Sequence, residues 1–139
     1  MEDPAPAIAR AVANEPAGVV SAYLFGSHVE GRTHRESDID VGILLDRQTY
    51  PTGRDRFDAR LVLSGAIGRA AGTHRIDIVI LNDAPPQLGR RIVTEGRRVF
   101  CADPEADLAF VRDVQLRAAD LEPFLRRMRR LKLEAMARP

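Results

Sequence analysis

Residues 26–40 read GSHVEGRTHRESDID, and this stretch decides the fold. An apolar run, VVSAYLF at residues 19–25, ends in Gly26-Ser27. Ten residues separate Ser27 from Asp38, and Asp38-Ile39-Asp40 opens a second apolar run, VGILL at residues 41–45. Side chains at i and i+2 of a strand share a face. Asp38 and Asp40 therefore project together, with Ile39, Val41 and Ile43 on the other face. A third carboxylate, Asp77, interrupts the strand formers RIDIVIL at residues 75–81.

Two neighbouring carboxylates repel and resist joint ionisation, and a cation between them removes the conflict. Hard oxygen ligands of this kind suit Mg²⁺, which prefers carboxylates plus substrate phosphates. Three such groups can hold two metals roughly 4 Å apart, the arrangement that clamps both oxygens of an in-line phosphoryl displacement. Strand 75–81 reads as buried on both faces, Asp77 lying with Val79 and Leu81 and opposite Ile76, Ile78 and Ile80. An ionised Asp there is costly unless it is paired or metal-bound. The Gly26-Ser27 turn supplies the complement. Glycine allows a sharp turn and a close backbone approach. The exposed N–H groups of such a turn attract anions, and the Ser27 hydroxyl adds one more donor. Gly31 lets the chain return toward the Asp pair.

Gly26-Ser27, the ten-residue spacing to Asp38-x-Asp40 and the later strand Asp77 resemble the minimal nucleotidyltransferases of the DNA polymerase β-like superfamily. Pro85-Pro86 and the stretch 90–100, RRIVTEGRRVF, point within that superfamily to MntA-type antitoxins, partners of HepT-type HEPN toxins. The chain departs from many relatives at His28 and Glu30. The resemblance implies an α/β fold with a small mixed sheet flanked by helices. It implies an enzyme that transfers AMP from ATP, with Mg²⁺, to a tyrosine of a separate HEPN toxin and so neutralises it. Asp38, Asp40 and Asp77 then serve as catalytic residues and metal ligands, and Gly26 and Ser27 bind the nucleotide. His28 is the one histidine placed for nucleotide contact. Two rivals remain: a small-molecule nucleotidyltransferase of the aminoglycoside-modifying type, and an antitoxin that acts by contact alone.

The 139 residues suit one domain, an α/β core to about residue 103 and a helical extension over about residues 104–139. Hydrophobic content of 45% against 29% charged residues is a globular balance. Only 5% aromatic residues, no Trp and a net charge of +1 give neither a stacking platform nor an electrostatic footprint for nucleic acid. No run approaches membrane-span length, and the amino terminus lacks a signal-peptide pattern, so a cytoplasmic protein is expected. Cys101 reads as a small core residue. The three histidines, His28, His34 and His74, do not match a zinc spacing.

The remaining patterning predicts helices over 6–14, 57–71 and 86–95, and a fourth strand over 97–102. Gly72 and Gly96 stop two of these helices. In the 57–71 helix, Phe57 and Leu61 mark one edge and Leu63 and Ile67 another, while Gly65 and Gly68 suit close packing onto the sheet. Asp103-Pro104-Glu105 is a helix start. Pro123 is expected to break or kink that helix before a second segment, 124–137. In the latter, Phe124, Leu125 and Met128 interleave with Arg126, Arg127, Arg129 and Arg130, an amphipathic pattern that suits packing on the core or on a partner. Arg90 and Arg91 read as an exposed helix face.

Overall fold

The structure, a computed structural model, describes residues 3–14, 16–26 and 38–138. Along it run α1 (Ala5–Asn14), β1 (Val19–Phe25), β2 (Ile39–Leu45), α2 (Gly53–Ala71), β3 (Ile76–Ile80), α3 (Pro86–Glu95), β4 (Arg97–Cys101) and α4 (Pro104–Ala137). Among the described residues the strands form one mixed sheet in the order β3-β2-β1-β4. β1 pairs antiparallel with both β2 and β4, and β2 pairs parallel with β3. A parallel pair needs a crossover, and α2 provides it. The expected α/β architecture with a small mixed sheet is what forms.

Strand alternation builds a core on each face of the sheet. Leu24, Val41, Ile43 and Ile78 pack with Ile8 and Val12 of α1 and Leu63 and Ile67 of α2. On the other face Val20, Tyr23 and Leu44 pack with Leu81 and with Ile92 of α3. Gly42 lets α3 lie close on that face, since a Cβ there would stand 2.8 Å from Ile92 Cγ2.

Polar side chains lock the layers together. Asp107, 3% exposed, accepts from Ser21 Oγ at 2.6 Å, from the Tyr23 hydroxyl at 2.9 Å and from Arg98 Nη1 at 3.0 Å. This joins α4 to β1 and β4. Arg56 of α2 grips both oxygens of Asp83 at 2.9 Å and donates to the Tyr50 carbonyl. Asn82 extends the sheet by exchanging two hydrogen bonds with the backbone of Leu45.

Four expectations need correction. β3 is an edge strand; Ile78 and Ile80 pack into one core and Val79 against the other, but Asp77 itself is exposed rather than buried. α2 begins at Gly53, one turn earlier than expected, because Thr52 and Asp55 form a reciprocal capping box. Its Leu63–Ile67 edge is buried, whereas Phe57 and Leu61 are exposed; Gly68 does lie against the sheet, a Cβ there standing 3.8 Å from Ile76 Cγ1 of β3 as well as 2.7 Å from the Thr73 carbonyl, but Gly65 faces Arg69 of its own helix. Finally, Pro123 does not divide α4 into two helices: one helix continues through it to Ala137. Pro123 removes one backbone donor, but the good helix formers around it carry the helix past. α4 is anchored by Asp107, Val114 and Ala118, and residues 126–138 are exposed throughout. Asp103 and Gly72 cap α4 and α2 as expected, and Cys101 is half-buried in β4.

Candidate active site

Register brings the carboxylates together. The β1–β2 pairing sets Phe25 opposite Asp40, and the β2–β3 pairing sets Asp40 opposite Asp77. Opposed residues on neighbouring strands share a face at a strand spacing of about 4.8 Å. Asp40 and Asp77 therefore project side by side, and Asp38 joins them two residues earlier. Asp40 is half-buried; Asp38 and Asp77 are exposed. The same row continues inward through Gly42 beneath Ile92, so the acids stand where the cover of α3 ends.

Gly26 closes the site at the end of β1. Its φ of +79° is left-handed, and a Cβ built on it would fall on Asp40 Oδ2. Only glycine both accepts that conformation and leaves room for the carboxylate. Ser27, His28, Glu30, Gly31 and His34, with the expected turn after Ser27, lie outside the described residues.

Sequence reasoning missed Arg75. Its Nε lies 3.7 Å from Asp38 Oδ1, with side chains 45% and 61% exposed. The signal was its position two residues before Asp77, which sets it on the acidic face. Among the described residues no group of three or more His, Cys, Asp or Glu side chains converges on a point that could hold a metal. The three acids share a face without closing on a common centre, and Asp38 leans on Arg75. Their chemistry nonetheless fits a hard divalent cation: carboxylate oxygens in one row, beside a glycine whose missing Cβ leaves room for Asp40 Oδ2.

Other candidates resolve more simply. Arg90 and Arg91 are exposed on α3, and Arg91 pairs with Glu95 at 3.2 Å. His74 is an exposed residue. Among the described residues no helix is long and apolar enough to cross a membrane. The Asp107 cluster was also unforeseen, although Ser21 and Tyr23 stand i and i+2 in an otherwise apolar strand. Burial and the hydrogen bond to Asp107 push the Tyr23 phenol well above its ordinary range.

A row of strand-borne acids beside a glycine turn on a mixed sheet fits the nucleotidyltransferase class. The chain belongs to the polymerase beta nucleotidyltransferase family, whose model matches residues 8–105. It is similar to the protein adenylyltransferase MntA of Shewanella oneidensis, with 30% identity over 96 residues, 68% of this chain and 63% of that protein. The matched stretch thus spans under two thirds of that relative's length. A spectinomycin 9-adenylyltransferase of Staphylococcus aureus is 31% identical over 65 residues, 46% of this chain but 25% of that protein. Among solved structures, a toxin–antitoxin complex with AMP-PNP superposes with a TM-score of 0.68 at 22% identity, covering 96% of this chain and 98% of the other. A complex of tri-AMPylated Shewanella oneidensis HEPN toxin with MNT antitoxin gives 0.62 at 18% identity, with 97% of both chains covered. At these identities the superpositions establish a shared fold.

Proposed function

We propose that the chain is the antitoxin of a toxin–antitoxin pair and acts as a protein adenylyltransferase. It transfers AMP from ATP to a tyrosine of a partner HEPN toxin. The reading is carried by the register that sets Asp40 opposite Asp77, on one face, against Gly26. The protein adenylyltransferase among its relatives supports the choice of acceptor. The likeness to the spectinomycin enzyme stops at a quarter of that protein, which fits a common nucleotide-transfer core with a different acceptor.

Asp38, Asp40 and Asp77 would hold Mg²⁺, one ion or two. When bound, Mg²⁺ supplies charge neutralisation for the triphosphate and lowers the pKa of an oxygen it contacts. The residues of the chain perform the rest. The turn at Gly26 and Ser27 offers backbone and hydroxyl donors to the phosphates. Asp77, the exposed acid of the edge strand, takes the proton of the acceptor phenol, whose ordinary pKa near 10 makes it a poor nucleophile at neutral pH. The phenolic oxygen then bonds to the α-phosphorus, the bond from that phosphorus to the β-phosphate bridging oxygen breaks, and pyrophosphate leaves. Arg75 keeps Asp38 paired before the substrate arrives. Residues 1–139 work as one nucleotidyltransferase unit, with the core to about residue 103 carrying the chemistry. The exposed end of α4, with Phe124 and Met128, is available to hold the toxin.

Incubation of the purified chain with ATP, Mg²⁺ and its cognate HEPN toxin tests the reading by intact mass of the toxin. Added AMP on a tyrosine is the expected result. A toxin that is inhibited but unmodified means neutralisation by contact, and modification of an aminoglycoside panel instead means a small-molecule enzyme.

A further inference from the structure

The sheet stops at β3, and among the described residues no strand pairs with its outer edge. The Ile39 N–H donates to the Arg75 carbonyl at 2.9 Å. Backbone polar groups alternate sides along a strand. Asp77 and Val79 therefore also turn theirs toward β2, while Ile76, Ile78 and Ile80 turn theirs outward. A cavity of about 460 Å³ runs along that edge. Its floor is β3 itself, Phe57 and Arg60 of α2 form one wall, and Pro85 and Leu88 form the other. Phe57 is 51% exposed, an aromatic ring standing open beside unpaired backbone. Asp77 lines the same cavity, so the groove is continuous with the row of acids.

We propose that this groove takes an extended segment of the acceptor protein as an added strand beside β3, with the acceptor tyrosine in register with Asp77. The inference rests on the protein-acceptor reading above and says how that acceptor is presented. An unpaired edge is complementary to a peptide backbone, whose alternating N–H and C=O groups match those of Ile76, Ile78 and Ile80. Register does the positioning. A residue opposite Asp77 on an added strand projects to the same face as Asp77, which puts a tyrosine hydroxyl beside the acids. Its neighbours in the segment project to the other face, toward α2. There Phe57 favours an apolar side chain and Arg60 an acidic one. A small-molecule acceptor uses none of this alternation.

Amide hydrogen exchange on the full chain, alone and with its cognate HEPN toxin, reads the edge directly. The outward amides of Ile78 and Ile80 are expected to slow at least about tenfold in the complex, as newly paired strand amides do. Phe57→Asp and Arg60→Glu, both at exposed positions, should fold normally. Each should raise KM for the toxin about tenfold, as loss of an interface anchor does, while the thermal shift given by ATP with Mg²⁺ stays unchanged. A toxin that is AMPylated while the Ile78 and Ile80 amides exchange at their free rates overturns strand addition and leaves the proposed function standing. Protection of those amides without modification keeps the docking edge but overturns the transfer reading. Protection that appears in the chain alone as its concentration rises assigns the edge to a second copy and overturns the proposal.

Discussion

Gly26→Ala is the sharpest test of the site, because the structure supplies its own control. Gly26 and Gly72 both adopt left-handed backbone, with φ of +79° and +72°. An alanine in that conformation costs about 1–2 kcal/mol at either position. At Gly72 that is the whole effect, since nothing lies within 4 Å of the added Cβ. Gly72→Ala should lower the thermal midpoint by roughly 3–7 °C and leave transfer untouched. At Gly26 the Cβ lands on Asp40 Oδ2, and the carboxylate must rotate away. Asp40 is half-buried rather than buried, and an off-rotamer side chain adds on the order of 1 kcal/mol to the stability cost. The chemical cost is larger. Displacing a reacting group by on the order of 1 Å removes about 100-fold in rate. The pair should therefore melt within about 1 kcal/mol of each other yet differ by about 100-fold in AMP transfer from labelled ATP. A Gly26→Ala protein that transfers AMP at the wild-type rate would refute the role given to Asp40. Equal loss of transfer in Gly72→Ala would trace the effect to general loosening instead.

Asp40→Asn keeps the shape and removes the charge, so transfer should fall by orders of magnitude while the melting point holds or rises, as repulsion from Asp77 is relieved; thermal melts beside a radiolabel assay check both. Asp77→Asn should depress turnover while leaving ATP binding by calorimetry mostly intact. Asp107→Ala strands the buried Ser21 and Tyr23 hydroxyls and the Arg98 charge together, and urea unfolding should show a loss of about 3 kcal/mol. Stability should also decline at alkaline pH. The Tyr23 phenol holds its proton more tightly folded than unfolded, so its contribution is complete below the ordinary value of 10.0 and drains away above it. Tyr23→Phe should flatten that slope above about pH 10, measured by melts.

Much of this was legible in the sequence because period and punctuation act locally. The strand period alone put Asp38 and Asp40 on one face and Ile39, Val41 and Ile43 on the other, as the structure has them. Gly72 and Gly96 announced helix ends by lacking a side chain, and Asp103 announced a helix start by the carboxylate that accepts from the Ala106 N–H. Strand order, by contrast, is a property of the assembled sheet. β3 is apolar enough to read as central, yet it sits at the edge, which turns Asp77 from a buried acid into an exposed one. The α2 start hid in a Thr52–Asp55 pair ahead of the apolar pattern. Pro123 did not break α4, and the reading of a break set a proline's local cost against too short a stretch of helix. The pairs Arg56–Asp83 and Arg75–Asp38 join residues 27 and 37 positions apart, and only the fold brings them together.

β1 connects the chemistry to the rest of the molecule. Gly26 meets Asp40 only because Phe25 is in register with Asp40, and a slip of one residue would set Phe25 or Ser27 in its place. Apolar contacts on β1 specify that register weakly, since Val19, Val20, Ala22 and Leu24 are similar in kind. The hydrogen bonds of Ser21 and Tyr23 to one buried carboxylate are specific to position and to face, and a slip would send both hydroxyls to the wrong side of the sheet. A buried charge is a poor source of net stability and a good source of uniqueness. On this argument Asp107 acts on the site from outside it: α4 holds β1 in register, β1 holds Gly26 against Asp40, and the pairing of β2 with β3 brings Asp77 to the same place.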